Sequence, residues 1–156
     1  MTGEEAWLSI GYSEGRSVCA EFLKSGGDPN YTNSDFGTSL LHQACEHGNL
    51  DLLELLIKSG ANTDFVPGCG YPAIFQALDI DIDGAIQSGG PIELTTAKKL
   101  VECGASLDVK YSDGRTPQEY CVGYGRPAKE AYEVTFPNQC IEQVAPSKTD
   151  SRLGDL

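Results

Sequence analysis

The feature that most restricts how this chain can fold is that it repeats itself. Gly37 to Ala44 reads GTSLLHQA and Gly70 to Ala77 reads GYPAIFQA, so glycine, glutamine and alanine recur at a shift of 33 residues. Leu55 to Asp64 (LLIKSGANTD) and Lys99 to Asp108 (KLVECGASLD) share a Gly-Ala pair at a shift of 44, which also carries Gly70 onto Gly114 and Ala77 onto Cys121. The third unit is therefore the second with eleven residues added, and the addition falls within DIDIDGAIQSGGP, from Asp79 to Pro91. A period of this length implies stacked supersecondary units, each burying its apolar face only against the next.

The local chemistry says what each unit is made of. In LDLLELLIKSGAN, leucines at 50, 53 and 56, with 52 and 55 beside them, make an apolar face at helical spacing. Gly60 then supplies the left-handed residue that ends such a helix. Ala44 and Cys45 are small, as close stacking of helix pairs requires, and Thr116-Pro117 suits a cap followed by the first helical position.

These residues resemble the ankyrin family, whose repeat carries a G-x-T-P-L-H-x-A helix start and a later L-L-x-x-G-A-D. The strongest copy is GTSLLHQACEHGNLDLLELLIKSGANTD, Gly37 to Asp64; DGRTPQEYC, Asp113 to Cys121, restores the turn and the Thr-Pro, and EFLKSGGDPN, Glu21 to Asn30, matches the end of a degenerate first repeat. The resemblance covers roughly residues 5–136. It implies an all-α solenoid of about four helix-turn-helix units joined by short hairpin loops. The units run over about 5–32, 33–65, 66–109 and 110–136, the third carrying an insertion at about 81–91. Residues 137–156 lose the periodicity and are expected to form a capping strand or a flexible tail.

Composition narrows the function. The net charge is −12, and between Lys24 and Lys98 ten acids face a single base, Lys58. A negative middle disfavours nucleic acid and anionic membranes and favours a basic protein surface or cations. The start MTGEEAWLSIG lacks the basic and apolar segments of a secretory signal, so a cytoplasmic protein is expected. The six cysteines are widely spaced without a C-x-x-C pair, which points to reduced thiols, several of them buried.

Catalytic signatures find little support. His42 has Glu46 one turn on, but the family resemblance implies a structural histidine bonded to the backbone of the inter-repeat turns. No G-x-S-x-G context accompanies it, and the SGG stretches at Ser25 and Ser88 lack the lysine of a phosphate loop. The chain is expected to be no enzyme and to need no cofactor.

The segment DIDIDGAIQSGG matches a calcium loop at its first, third, fifth and sixth positions, Asp79, Asp81, Asp83 and Gly84. Its twelfth position is Gly90 where a bidentate glutamate belongs, which leaves these three aspartates a weak calcium candidate. The alternation of Ile80 and Ile82 with the aspartates suggests instead an extended segment, with isoleucines packed on the array and carboxylates facing out as an acidic finger.

In the ankyrin family partners bind the concave face built from hairpin tips and first helices. Carried over by position, that face takes in Tyr12 and Ser13, then Asp35, Phe36, Thr38, Glu46 and His47. It continues through Cys69, Tyr71, Asp79 and Ile80 to Asp113, Arg115 and Tyr124, with Asp81 and Asp83 on the finger beside it. Aromatic anchors among acids suit a protein-binding patch. The resemblance implies a binding module, monomeric when free, that recognises a basic protein. An inhibitor or immunity protein occluding an active site fits this size and charge, and a calcium-modulated or general scaffold is the alternative.

Overall fold

The computed structural model describes residues 1–139, over which the chain is helical. Eight α-helices follow in pairs: α1 (Gly3–Ser9) and α2 (Gly15–Lys24), α3 (Leu40–Glu46) and α4 (Leu50–Lys58), α5 (Ala73–Ser88) and α6 (Thr95–Glu102), α7 (Pro117–Gly123) and α8 (Arg126–Thr135). A single 3₁₀ turn, Pro137–Gln139, follows the last helix, and the expected cap or tail beyond it lies outside the described residues. First helices pack on first helices, α1 on α3 on α5 on α7, while α2 meets α4 and α4 meets α6. The result is an ankyrin solenoid with an inner and an outer row.

The helix starts come from the residues the sequence placed there. Thr2 with Glu5 and Thr116 with Glu119 form reciprocal capping boxes, and Ser39 and Asn49 cap α3 and α4 through their side chains. Gly60 ends its outer helix at φ 98°, a conformation that favours glycine. Between pairs the chain makes tight hairpins: Thr32 and Ser39 form an isolated antiparallel bridge, and the Tyr111 N–H donates to the Arg115 carbonyl at 2.8 Å. Asn30 links successive units, its Nδ2 donating to the Gly60 carbonyl at 3.2 Å while its Oδ1 accepts from the Asn62 N–H at 2.7 Å.

The core is continuous along the array. Leu40, Leu41, Ala44 and Cys45 of α3 and Leu52, Leu53 and Leu56 of α4 are buried together, and Ile74, Phe75, Leu78 and Ile82 of α5 extend the same cluster. Burial of a side chain of this size stabilises the fold by about 1.5–3 kcal/mol. His42 is buried between Ser39, whose Oγ lies 2.8 Å from Nδ1, and the Tyr71 carbonyl, 3.1 Å from Nε2. The Nε2–H tautomer satisfies both bonds, and burial holds the imidazole pKa below its usual value. This is the structural role expected for it.

The insertion departs from expectation. It forms no extended finger: α5 is a helix of sixteen residues, where α3 and α7 have seven. Ile74, Leu78, Ile82 and Ala85 recur every three to four residues and are all buried, so the helical period governs, and the Ile-Asp alternation is a short coincidence inside it. Ile82 faces the core while Ile80 is half-buried. Gly84 sits exposed with nothing within 4 Å of an added Cβ, and its cost of about 1 kcal/mol in a helix is too small to break α5. The break comes at Gly89, in the left-handed conformation at φ 69°.

The longer α5 also changes how α6 begins. Leu94, at the α6 N-cap, makes no side-chain cap bond. The missing acceptor comes from α5: Asp81 Oδ2 takes the N–H groups of Thr96 at 2.8 Å and Ala97 at 3.0 Å. A carboxylate at a helix N-terminus satisfies orphan donors and complements the helix dipole.

Candidate functional site

Two clusters occupy the inner face, and their acids, Glu46 and Asp79, stand at equivalent positions of successive repeats. The first is open. Trp7 on α1 is buried except for one edge, its indole N–H donates to the Thr38 carbonyl at 3.2 Å, and its ring stacks on Phe36 with centroids 6.0 Å apart and planes 16° apart. Phe36 stands at a loop tip, 66% exposed, held there because Asn33 Oδ1 accepts from the N–H groups of Asp35 and Phe36 at 2.9 Å each. Asn33 is anchored in turn by donating to Glu4 at 2.6 Å.

Trp7, Phe36, Thr38, Gln43, Glu46 and Tyr71 line a cleft of about 290 Å³. Gln43 donates to Glu46 Oε2 at 2.7 Å and so fixes the carboxylate, and Glu46 has no ion pair among the described residues. Thr38 Oγ1 is buried without a hydrogen-bond partner among the described residues. Partial burial, with Cys69 and Glu46 nearby, pushes the Tyr71 hydroxyl up to about 12.

The second cluster is closed. Tyr71 stacks on Tyr111 at 5.8 Å, and Phe75, Tyr111 and Tyr120 meet pairwise at 5.2 Å. The Arg115 guanidinium lies over the rings of Tyr120 at 4.9 Å and Tyr111 at 5.7 Å while its Nε donates to Asp113 at 2.7 Å. Asp79 Oδ1 accepts from the hydroxyls of Tyr120 at 2.8 Å and Tyr124 at 2.7 Å. Burial, followed by the Asp79 carboxylate, drives both tyrosine pKa values above their ordinary range. Asp79 is itself raised because burial outweighs its two hydrogen bonds and the Arg115 charge, with Asp83 adding to the rise.

The sequence-predicted residues distribute unevenly over this face. Phe36, Glu46 and Tyr71 come together in the open cleft, and Asp79, Asp113, Arg115 and Tyr124 in the closed cluster. His47 is exposed and its ring packs over Gly11, 3.2 Å from the point a Cβ would occupy. Tyr12, in the turn after α1, and Asp35 are exposed. Ile80 leans toward the α3–α4 turn, 3.9 Å from a Cβ placed on Gly48.

The expectation that Asp79, Asp81 and Asp83 all present carboxylates outward is corrected. Asp79 is tied to two tyrosines and Asp81 to the α6 backbone; only Asp83 is exposed. The segment from Asp79 to Asp83 does not take the form of a calcium loop, because it is helical throughout. On a helix Asp79 and Asp83 share a face one turn apart while Asp81 points away from it. Trp7, Gln43, Tyr111 and Tyr120 were not anticipated as site residues. The sequence does hold one signal for Tyr120, since it occupies the place of Gln43 and Gln76 in the two preceding repeats.

Comparison with known proteins agrees with the architecture. A family model for ankyrin repeats, in three copies, matches residues 8–82. The fowlpox virus (strain NVSL) ankyrin repeat protein FPV014 is 28% identical over 123 residues, which is 70% of this chain and 25% of that protein. The chain thus spans about a quarter of that relative's length. An ankyrin repeat domain from Acinetobacter baumannii AYE superposes with a TM-score of 0.65 at 23% identity, covering 83% of this chain and 63% of the other. The ankyrin repeat domain of Bcl-3, of the IkappaB protein family, gives 0.61 at 21% identity, covering 82% and 50%. The in-phase motifs, the paired helices in two rows and these likenesses agree: the chain has the ankyrin-repeat fold and matches ankyrin repeats over residues 8–82.

Proposed function

We propose that the chain is a non-catalytic binding module that captures a basic protein on its inner face, and that it acts by covering the partner's surface as an inhibitor does. Ankyrin repeats are protein-interaction modules and generally not enzymes, which sets the class. The reading rests on one observation: from the first repeat to the third, the inner face offers exposed acids and aromatics with no lysine or arginine among them. Asp35, Glu46 and Asp83 are exposed there with Phe36, whereas Lys58, the one base between Lys24 and Lys98, pairs with Glu54 of the same outer helix at 2.7 Å. Arg115, further along, is engaged by Asp113 and two tyrosine rings. Such a surface steers a positively charged partner and repels polyanions. A cytoplasmic, monomeric protein is the setting this reading implies. No helix among the described residues is long and apolar enough to cross a membrane.

Affinity capture from the source cells with the wild-type chain and with an Asp35→Lys/Glu46→Lys/Asp83→Lys variant tests this. Proteins retained by the wild type should be basic, lost with the variant, and associate roughly tenfold or more slowly with it at low salt, the gap narrowing as salt rises. Retention of the same proteins by both, at equal rates, would remove the inner face from the interaction.

A further inference from the structure

We propose that the cleft between Trp7, Phe36, Tyr71 and Glu46 receives the side chain of an arginine from the partner protein. The inference rests on the binding reading above and gives it a chemistry. Its strongest support is internal, because the array already shows an arginine seated in a niche of this kind one repeat away. There the Arg115 guanidinium lies over Tyr111 and Tyr120, and the charge of Asp79 acts on the site. Position by position, Glu46 is the counterpart of Asp79, Gln76 of Tyr120 and Tyr71 of Arg115. In the N-terminal cleft the acid is kept and aromatic walls come from other positions, Trp7, Phe36 and Tyr71, while the place of Arg115 is taken by Tyr71 and holds no cation.

Among the described residues no cation is placed there. Glu46 is without an ion pair among the described residues, and Lys58 belongs to the outer row. The cleft is small, about 290 Å³, below the usual range of about 300–1,000 Å³ for small-molecule pockets and suited to one long side chain. Stacked aromatic faces favour a planar cation over a compact one, since guanidinium both stacks and donates in a fixed fork. Gln43 holds Glu46 Oε2 and leaves the second oxygen to accept, while Thr38 Oγ1, at 8% residue exposure, adds a polar atom lacking a partner.

The chain's single tryptophan is in the wall, so occupancy has a direct reporter. N-acetyl-arginine amide titrated into the full chain should change Trp7 fluorescence saturably in the millimolar range. N-acetyl-citrulline amide, neutral and nearly isosteric, should not. Glu46→Gln and Phe36→Ala alter exposed side chains, so the fold is kept, and each should weaken the arginine response about tenfold, the scale of a desolvated cation–π or charged hydrogen bond.

No saturable change with arginine, an equal change with citrulline, an equal response to N-acetyl-lysine amide, or an unaltered response in Glu46→Gln would each overturn the assignment. Because the probe titration needs no partner, its failure beside successful capture by the inner face discards the arginine site alone. Failure of capture with a positive titration discards the partner reading instead.

Discussion

Glu46 and Asp79 are acids at the same position of successive repeats, 33 residues apart, and they have opposite fates. Glu46 ends a seven-residue helix, is exposed, and leans on Gln43 beside an open cleft. Asp79 lies inside a sixteen-residue helix and is held by two tyrosine hydroxyls, one of them on the ring that Arg115 covers. The difference lies in the neighbours that the next repeat supplies. Where that repeat brings Tyr120, Tyr124 and Arg115, the acid becomes a structural contact. Where it brings Tyr71 and Gln76 without a cation, the acid stays available. Charge on a solenoid face is therefore a property of adjacent pairs of repeats, and counting acids along the chain overstates what a partner meets.

The sharpest way to break this contrast is to attack the added turns of α5. Ile82→Ala should cost about 2–5 kcal/mol in urea unfolding because the side chain is fully buried, whereas a surface appendage would lose almost nothing. Tyr120→Phe comes next: it removes one donor from Asp79 in a partly buried site and should cost about 1–3 kcal/mol, while Gln43→Ala at the equivalent open position should leave stability unchanged. Asp81→Ala should cost about 0.5–2 kcal/mol by uncapping α6, with hydrogen exchange accelerating first at Thr96 and Ala97.

The pH dependence sharpens the same comparison. Burial raises the pKa of both Asp79 and Asp81 above the ordinary 3.8, so the folded state holds their protons more tightly than the unfolded chain does. Their contribution is full below that value and is lost as pH rises through the raised values. The wild type should therefore lose stability relative to Asp79→Asn/Asp81→Asn between strongly and mildly acidic pH, as followed by urea midpoints across the range; a difference that stays flat or grows in the other direction contradicts the burial argument. The smallest expected effect is that of Glu46→Gln on stability, with no detectable shift in midpoint, because that carboxylate is solvated and unpaired.

Much of the fold was legible because repetition is a redundant signal. The shifts of 33 and 44 residues place the helix pairs and the insertion without any helix propensity being weighed. The conformation of the insertion was not legible from IDID alone, since four residues do not separate a period of two from one of 3.6. The spacing of Ile74, Leu78, Ile82 and Ala85 did contain the answer, and it runs through the glycine that argued for a loop. The open cleft was half legible: Phe36, Glu46 and Tyr71 follow from repeat register, but Trp7 belongs to the degenerate first repeat, where register was weakest. The Asp79 pairing with Tyr120 and Tyr124, more than forty residues downstream, depends on stacking distance between helices and leaves no local trace.

The Asp81 cap has a consequence for how this protein could be shortened. Deleting residues 81–91 to restore a regular repeat would remove the acceptor for the first free N–H groups of α6, at a helix start that has no side-chain cap of its own. The regular repeat has that acceptor in Asn49, the N-cap of α4, whereas the N-cap of α6 is Leu94, whose side chain can accept nothing. The insertion thus works like a one-way ratchet: the neighbouring helix has come to depend on it, and clean excision requires a capping residue to be installed at position 94 in the same step.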